Sequence, residues 1–115
     1  MPDPFDFALS TERFRAFGAD PVNVCDEETL YRVLDGMEVA IAPARGGVVV
    51  APPVPRLAGH VLRFLGASFD LDFLARFAAT SDPVLDRIRS SLHGLRPVLV
   101  PDPLEMLVGS ITAQQ

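Results

Sequence analysis

The dipeptide Asp35-Gly36 constrains this chain more than any other pair of its residues. It separates two apolar-rich runs, Thr29-Leu30-Tyr31-Arg32-Val33-Leu34 and Met37-Glu38-Val39-Ala40-Ile41-Ala42. A two-residue hairpin turn that follows the twist of its strands wants φ > 0 at both central positions, which glycine adopts freely and aspartate tolerates. The sequence therefore predicts antiparallel strands at 29–34 and 37–42. Arg45-Gly46-Gly47 marks a second turn, and Val48 to Ala51 a further strand. Upstream, the alternation Phe5-Asp6-Phe7-Ala8-Leu9 predicts a short strand. Ser10 or Thr11 is then placed to cap a brief helix through Phe17, with Phe14 and Phe17 on one face and Gly18 ending it. The expected product is a meander of three or four antiparallel strands with one wet face.

Beyond the meander the apolar period lengthens. Leu57, Val61, Leu62, Phe64 and Leu65 predict a helix over Pro55–Leu65 closed by Gly66, and Phe73, Leu74 and Phe77 predict another over Leu71–Ala79. Asp82-Pro83 starts a third, running through Ile88 to Leu92 before His93-Gly94. Leu95 to Val100 reads as an extended linker bracketed by Pro97 and Pro101. Asp102 and Pro103 then start a last helix, with Glu105 three after the cap as in a capping box and Leu104, Leu107, Val108 and Ile111 in one stripe. Gln114 and Gln115 follow with no glycine, asparagine or basic last turn as a stop signal. The fold class expected is α+β: a small antiparallel sheet backed by helices in a domain over 1–94, a linker at 95–100, and at 101–115 the first helix of an all-α region.

At 115 residues and 49% hydrophobic, the chain is one domain in size and can bury a real core. No apolar run reaches the ~18 residues a membrane helix requires. The start, Met-Pro-Asp-Pro-Phe-Asp-Phe, carries acid where a secretory signal carries base. A single cysteine points to a reducing cytoplasm. The net charge is −5 and all ten basic residues are arginine, so bulk electrostatics argue against autonomous nucleic-acid binding. Residues 1–58 hold five arginines against nine acids and 59–115 five against six, so any DNA contact is expected toward the C-terminal end.

Side chains able to carry chemistry are few. Cys25 and His60 are a nucleophile and a base by type, but lack a glycine elbow or an oxyanion-hole signature nearby. They read as a small buried cysteine on a strand-edge loop and a surface histidine on an amphipathic helix. His60 and His93 lack the clustered partners of a metal site, and Asp26-Glu27-Glu28 lacks EF-hand spacing and reads as a solvated loop. Gly46-Gly47 is too short to cradle a phosphate, and Asp70-x-Asp72 reads as a helix start. The expectation is no catalytic constellation, no metal and no cofactor within the chain.

The stretch Ser90–Gln115 nevertheless carries an ordered set of motifs. Gly94-Leu95-Arg96-Pro97, Asp102-Pro103, Leu104-Glu105, Leu107-Val108, Ile111 and Gln114-Gln115 resemble a recurrent segment of the 3-methyladenine DNA glycosylase II family of helix-hairpin-helix base-excision enzymes. Further back, Phe5-Asp6-Phe7 resembles the family's aromatic first strand, and Thr29–Leu34 with Gly46-Gly47-Val48-Val49-Val50 resembles its sheet. Asp82-Pro83-Val84-Leu85 resembles the lead-in to its linker.

The resemblance implies an N-terminal α+β domain similar to half of a TATA-binding-protein fold, with 101–115 as the first helix of a helix-hairpin-helix catalytic domain. It implies a monomeric, cytoplasmic, nucleoid-associated enzyme whose partner is duplex DNA containing a damaged, alkylated base. That base is flipped out and its N-glycosidic bond hydrolysed. The acting aspartate or lysine of that family has no counterpart here, so this chain alone is expected to be inactive. Gln115 matches the residue that wedges into the minor groove where the base has left, the alternative being an exposed helix-end residue, and Gln114 beside it is either a second DNA-binding residue or a helix-to-loop hydrogen-bonder. The competing expectation is a free-standing α+β module whose last helix docks on a protein.

Overall fold

In the computed structural model, which describes residues 1–18, 20–71 and 82–114, the chain folds around an antiparallel sheet of order β1-β2-β3-β4. The strands are β1 Val24–Asp26, β2 Thr29–Leu34, β3 Met37–Ala44 and β4 Gly47–Ala51. The Asp35-Gly36 turn forms with φ of 50° and 70°, and it sets Leu34 opposite Met37 and Leu30 opposite Ile41. β3 extends past Ala42 because Pro43 and Ala44 find partners in Val48 and Gly47. The helices are α1 Phe7–Thr11, α2 Arg13–Ala16, α3 Leu57–Phe64, α4 Pro83–Ser91 and α5 Pro103–Thr112. This is a small α+β fold.

Two expectations near the N-terminus are corrected. Phe5–Leu9 is not a strand: its second half lies in α1, so the likeness to an aromatic first strand fails there. The cause is Asp6, whose carboxylate accepts from the Leu9 amide at 2.8 Å and caps the helix. Ser10 and Thr11 do not cap a later helix either. They are buried on α1, their hydroxyls donating back to the Asp6 and Phe7 carbonyls at 2.6 and 2.7 Å. Phe14 and Phe17 part company, Phe14 stacking on Phe64 with ring centroids 6.1 Å apart while Phe17 is 90% exposed.

One sheet face is dry. Leu30 and Leu34 of β2 and Val39 and Ile41 of β3 form one core with Phe7, Leu57, Val61, Phe64 and Leu65. Val24, Val33 and Val49 lie exposed on the sheet, giving the one wet face that alternation predicts. The helix expected at 71–79, with Phe73, Leu74 and Phe77, lies outside the described residues apart from its first position, and Asp72 lies outside them too.

The segment expected to be a linker is extended, as its prolines require, but it is packed. The Asp6 amide donates to the Gly94 carbonyl at 2.8 Å, the Arg96 amide to Ser10 Oγ at 2.9 Å, and the Leu99 amide to the Phe64 carbonyl at 2.8 Å. Residues 94–99 thus form a strap tying the N-terminal segment to the end of α3. Among the described residues no helix is long and apolar enough to cross a membrane.

Candidate functional site

The sequence places its candidate site at the far end of α5. Asp102 has extended backbone and its carboxylate accepts from the Leu104 amide at 2.8 Å, so the helix start forms as its Asp-Pro pair predicts. Glu105 does not complete a capping box. Both of its carboxylate oxygens accept instead from Arg32 Nη2, at 3.1 and 2.9 Å. The helix buries none of its residues, and Leu104, Met106, Leu107, Val108 and Ile111 are each more than half exposed. Its hydroxyls are turned inward along the backbone: Ser110 donates to the Met106 carbonyl and Thr112 to the Val108 carbonyl. Gln114 follows in an exposed turn, its amide donating to the Ile111 carbonyl at 3.3 Å. Gln115 lies outside the described residues.

Arg32 is the residue sequence reading passed over. Period 2 along Thr29–Leu34 puts it on the same face as Leu30 and Leu34, so a cation in the core was legible as a conflict that needs a partner. Its side chain is 2% exposed. Nη1 donates to Asn23 Oδ1 at 2.9 Å, and the guanidinium carbon lies 4.5 Å from the Phe64 ring centroid. Asn23 is held in turn by Asp20, which accepts from its side-chain amide at 2.7 Å.

Burial works to raise the Asp20 carboxyl, but hydrogen bonds from the Asn23 side chain and from the Val22 and Asn23 amides, with the Arg32 charge, bring it below its ordinary 3.8. A depressed carboxyl stabilises the fold above its unfolded value and ceases to do so as pH falls through the lower folded value. We therefore expect urea denaturation to show Asp20→Asn less stable than the parent at pH 6, with the gap closing as the pH is taken below 3.8. A gap that persists unchanged at low pH would show that the charge is not what Asn23 and the turn exploit.

The other candidates are not assembled into chemistry. Cys25 lies in edge strand β1 and is half-buried, neither on a loop nor fully buried. Burial, with Asp20 and Glu12, raises its thiol above the ordinary range against the lowering effect of Arg15, so at neutral pH it is a poor nucleophile. His60 is half-buried on α3. Asp26 belongs to β1, and Glu27 takes φ 51° in the β1–β2 turn. Among the described residues no group of three or more His, Cys, Asp or Glu is arranged to hold a metal. An open hollow of about 400 Å³ is lined by Phe5, Phe7, Asp3, Asp6, Glu28 and Arg15 among others. Three carboxylates against one guanidinium make it hostile to an anion, and Asp6 is already committed to capping α1. No family model, no curated protein and no solved structure matches this chain.

Proposed function

We propose that this chain is the N-terminal α+β region of a base-excision DNA glycosylase that removes alkylated bases from duplex DNA, with α5 as the first helix of the catalytic domain. The observation that carries the reading is α5 itself. A capped helix with five large apolar side chains more than half exposed is unstable as a solitary surface element, and packing against further helices is what such a stripe is for. The resemblance of the ordered motifs from Gly94 to Gln115 to that family supports this kind of domain. The charge of −5 supports a division of labour in which this region supports the catalytic domain and grips DNA little.

The test is single-turnover base release by the intact enzyme encoded by the uninterrupted reading frame, on alkylated duplex and single-stranded DNA. Extruding a paired base costs a few kcal/mol, and an amide wedge recovers part of that by filling the gap and bonding the orphaned base. Gln115→Ala should slow release from duplex by roughly tenfold, or ~1.4 kcal/mol, and from single strands much less. No release by the parent enzyme overturns the proposal. Equal losses on both substrates overturn the role of Gln115 alone.

A further inference from the structure

We infer that Arg32 is a positioning residue: anchored in the sheet, it sets the angle of α5 through Glu105. Three sides of its guanidinium are fixed by groups of the α+β unit, namely Asn23 Oδ1 at 2.9 Å, the Phe64 ring at 4.5 Å and the Val33 carbonyl at 3.4 Å. The fourth side is Glu105, 73 residues away in sequence. Among the described residues this is the one side-chain polar contact between α5 and another element, and no apolar side chain of α5 is buried to share the task. The Glu105 side chain is 35% exposed against 2% for Arg32, so the joint sits at the rim of the core with its fixed half inside and its movable half outside.

Stability alone does not account for such a pair. Desolvating a guanidinium costs about as much as a well-placed carboxylate returns, and an apolar side chain between Leu30 and Leu34 would serve the core as well. What the pair adds is direction. Arg32 Nη2 reaches both oxygens of Glu105, which fixes the first turn of α5 against the sheet. Ten residues of helix span about 15 Å, so a swing of about 20° at the first turn carries the far end, and Gln114 with it, by about 5 Å. The inference does not depend on the function proposed above, since the joint lies wholly within this chain.

The test is a distance measured by electron paramagnetic resonance between spin labels at Val49 on β4 and Val108 on α5, both exposed, in a Cys25→Ser background. The parent should give one narrow distribution. Glu105→Ala and Arg32→Met should each widen it at least twofold, and the double variant should be no wider than the broader single. The double variant also lacks the unpaired buried charge that Glu105→Ala leaves behind, so it carries the test if that single variant does not fold. A broad distribution in the parent overturns the inference. So does a narrow one in either folded single variant or in the double, or widening that adds in the double.

Discussion

Arg96→Met should cost this fold about 3 kcal/mol, a large share of the roughly 5–15 kcal/mol that holds a domain of this size together. Arg96 is buried, and among the described residues no carboxylate pairs with it. Its counter-charge is a ring of carbonyl oxygens: Pro4 on Nε at 3.2 Å, Gly66, Ala67 and Phe69 on Nη1 at 3.2, 3.5 and 3.0 Å, and Pro2 on Nη2 at 3.3 Å. Three of these carbonyls lie just past the C-terminus of α3, where the helix dipole favours a cation. One side chain thus satisfies acceptors from two distant segments, and removing it strips that donor from the buried Gly66 carbonyl and from four part-buried ones. Methionine keeps most of the stem volume, so the loss measures the polar contacts and not a cavity. Urea denaturation followed by circular dichroism supplies the number, with an unchanged slope confirming that only stability moved. Arg96→Lys should recover part of the loss, since an ammonium keeps the charge but cannot fork to two segments. A loss under about 1 kcal/mol for Arg96→Met would mean water replaces the guanidinium cheaply.

How far the sequence reached follows from which physics is local. The Asp35-Gly36 hairpin was legible because its requirement, positive φ at two adjacent positions, is a property of those two residues. The Asp-Pro starts of α4 and α5 were legible for the same reason, since each Asp caps its own first turn. Phe5–Leu9 misled because five residues fit either period, and the deciding bond, from the Leu9 amide to Asp6, competes with strand pairing on equal terms in sequence. Cys25 reads as a loop residue in the sequence because a three-residue edge strand carries almost no pattern. It pairs because the turn at Asp20 delivers Val24 opposite Tyr31. The packing of 94–99 was not legible at all. Proline says that a segment is extended, not what it will touch, and the acceptors of Arg96 lie 27 to 94 residues away. At the candidate site the helix and its apolar stripe were read from spacing, while the Arg32–Glu105 joint required knowing that the first turn of α5 lies against β2.

The same strap makes Gly66→Ala an expected loss of about 3 kcal/mol, and a control separates its two causes. Gly66 has φ +68°, where an L residue is strained by roughly 1 kcal/mol. It also faces the strap: an added Cβ would overlap the Pro97 carbonyl oxygen and stand 3.3 Å from its carbon and 3.5 Å from Arg96 Cβ. Backbone cannot rotate aside as a side-chain tip does, so Pro97 must retreat. Its retreat strains the Leu99 amide bond to Phe64 at 2.8 Å and the Arg96 bond to the Gly66 carbonyl at 3.2 Å, which flank it. Gly36 is the control, with a similar φ of +70° and nothing within 4 Å of an added Cβ. Gly36→Ala should therefore show the backbone cost alone, about 1 kcal/mol, leaving about 2 kcal/mol as the cost of displacing the strap. Combining Gly66→Ala with Arg96→Met should lose less than the sum of the two, because both release the same contacts and contacts can be lost only once. Equal losses at Gly36 and Gly66, or strict additivity in the double variant, would show that residues 94–99 lie against α3 without being held there.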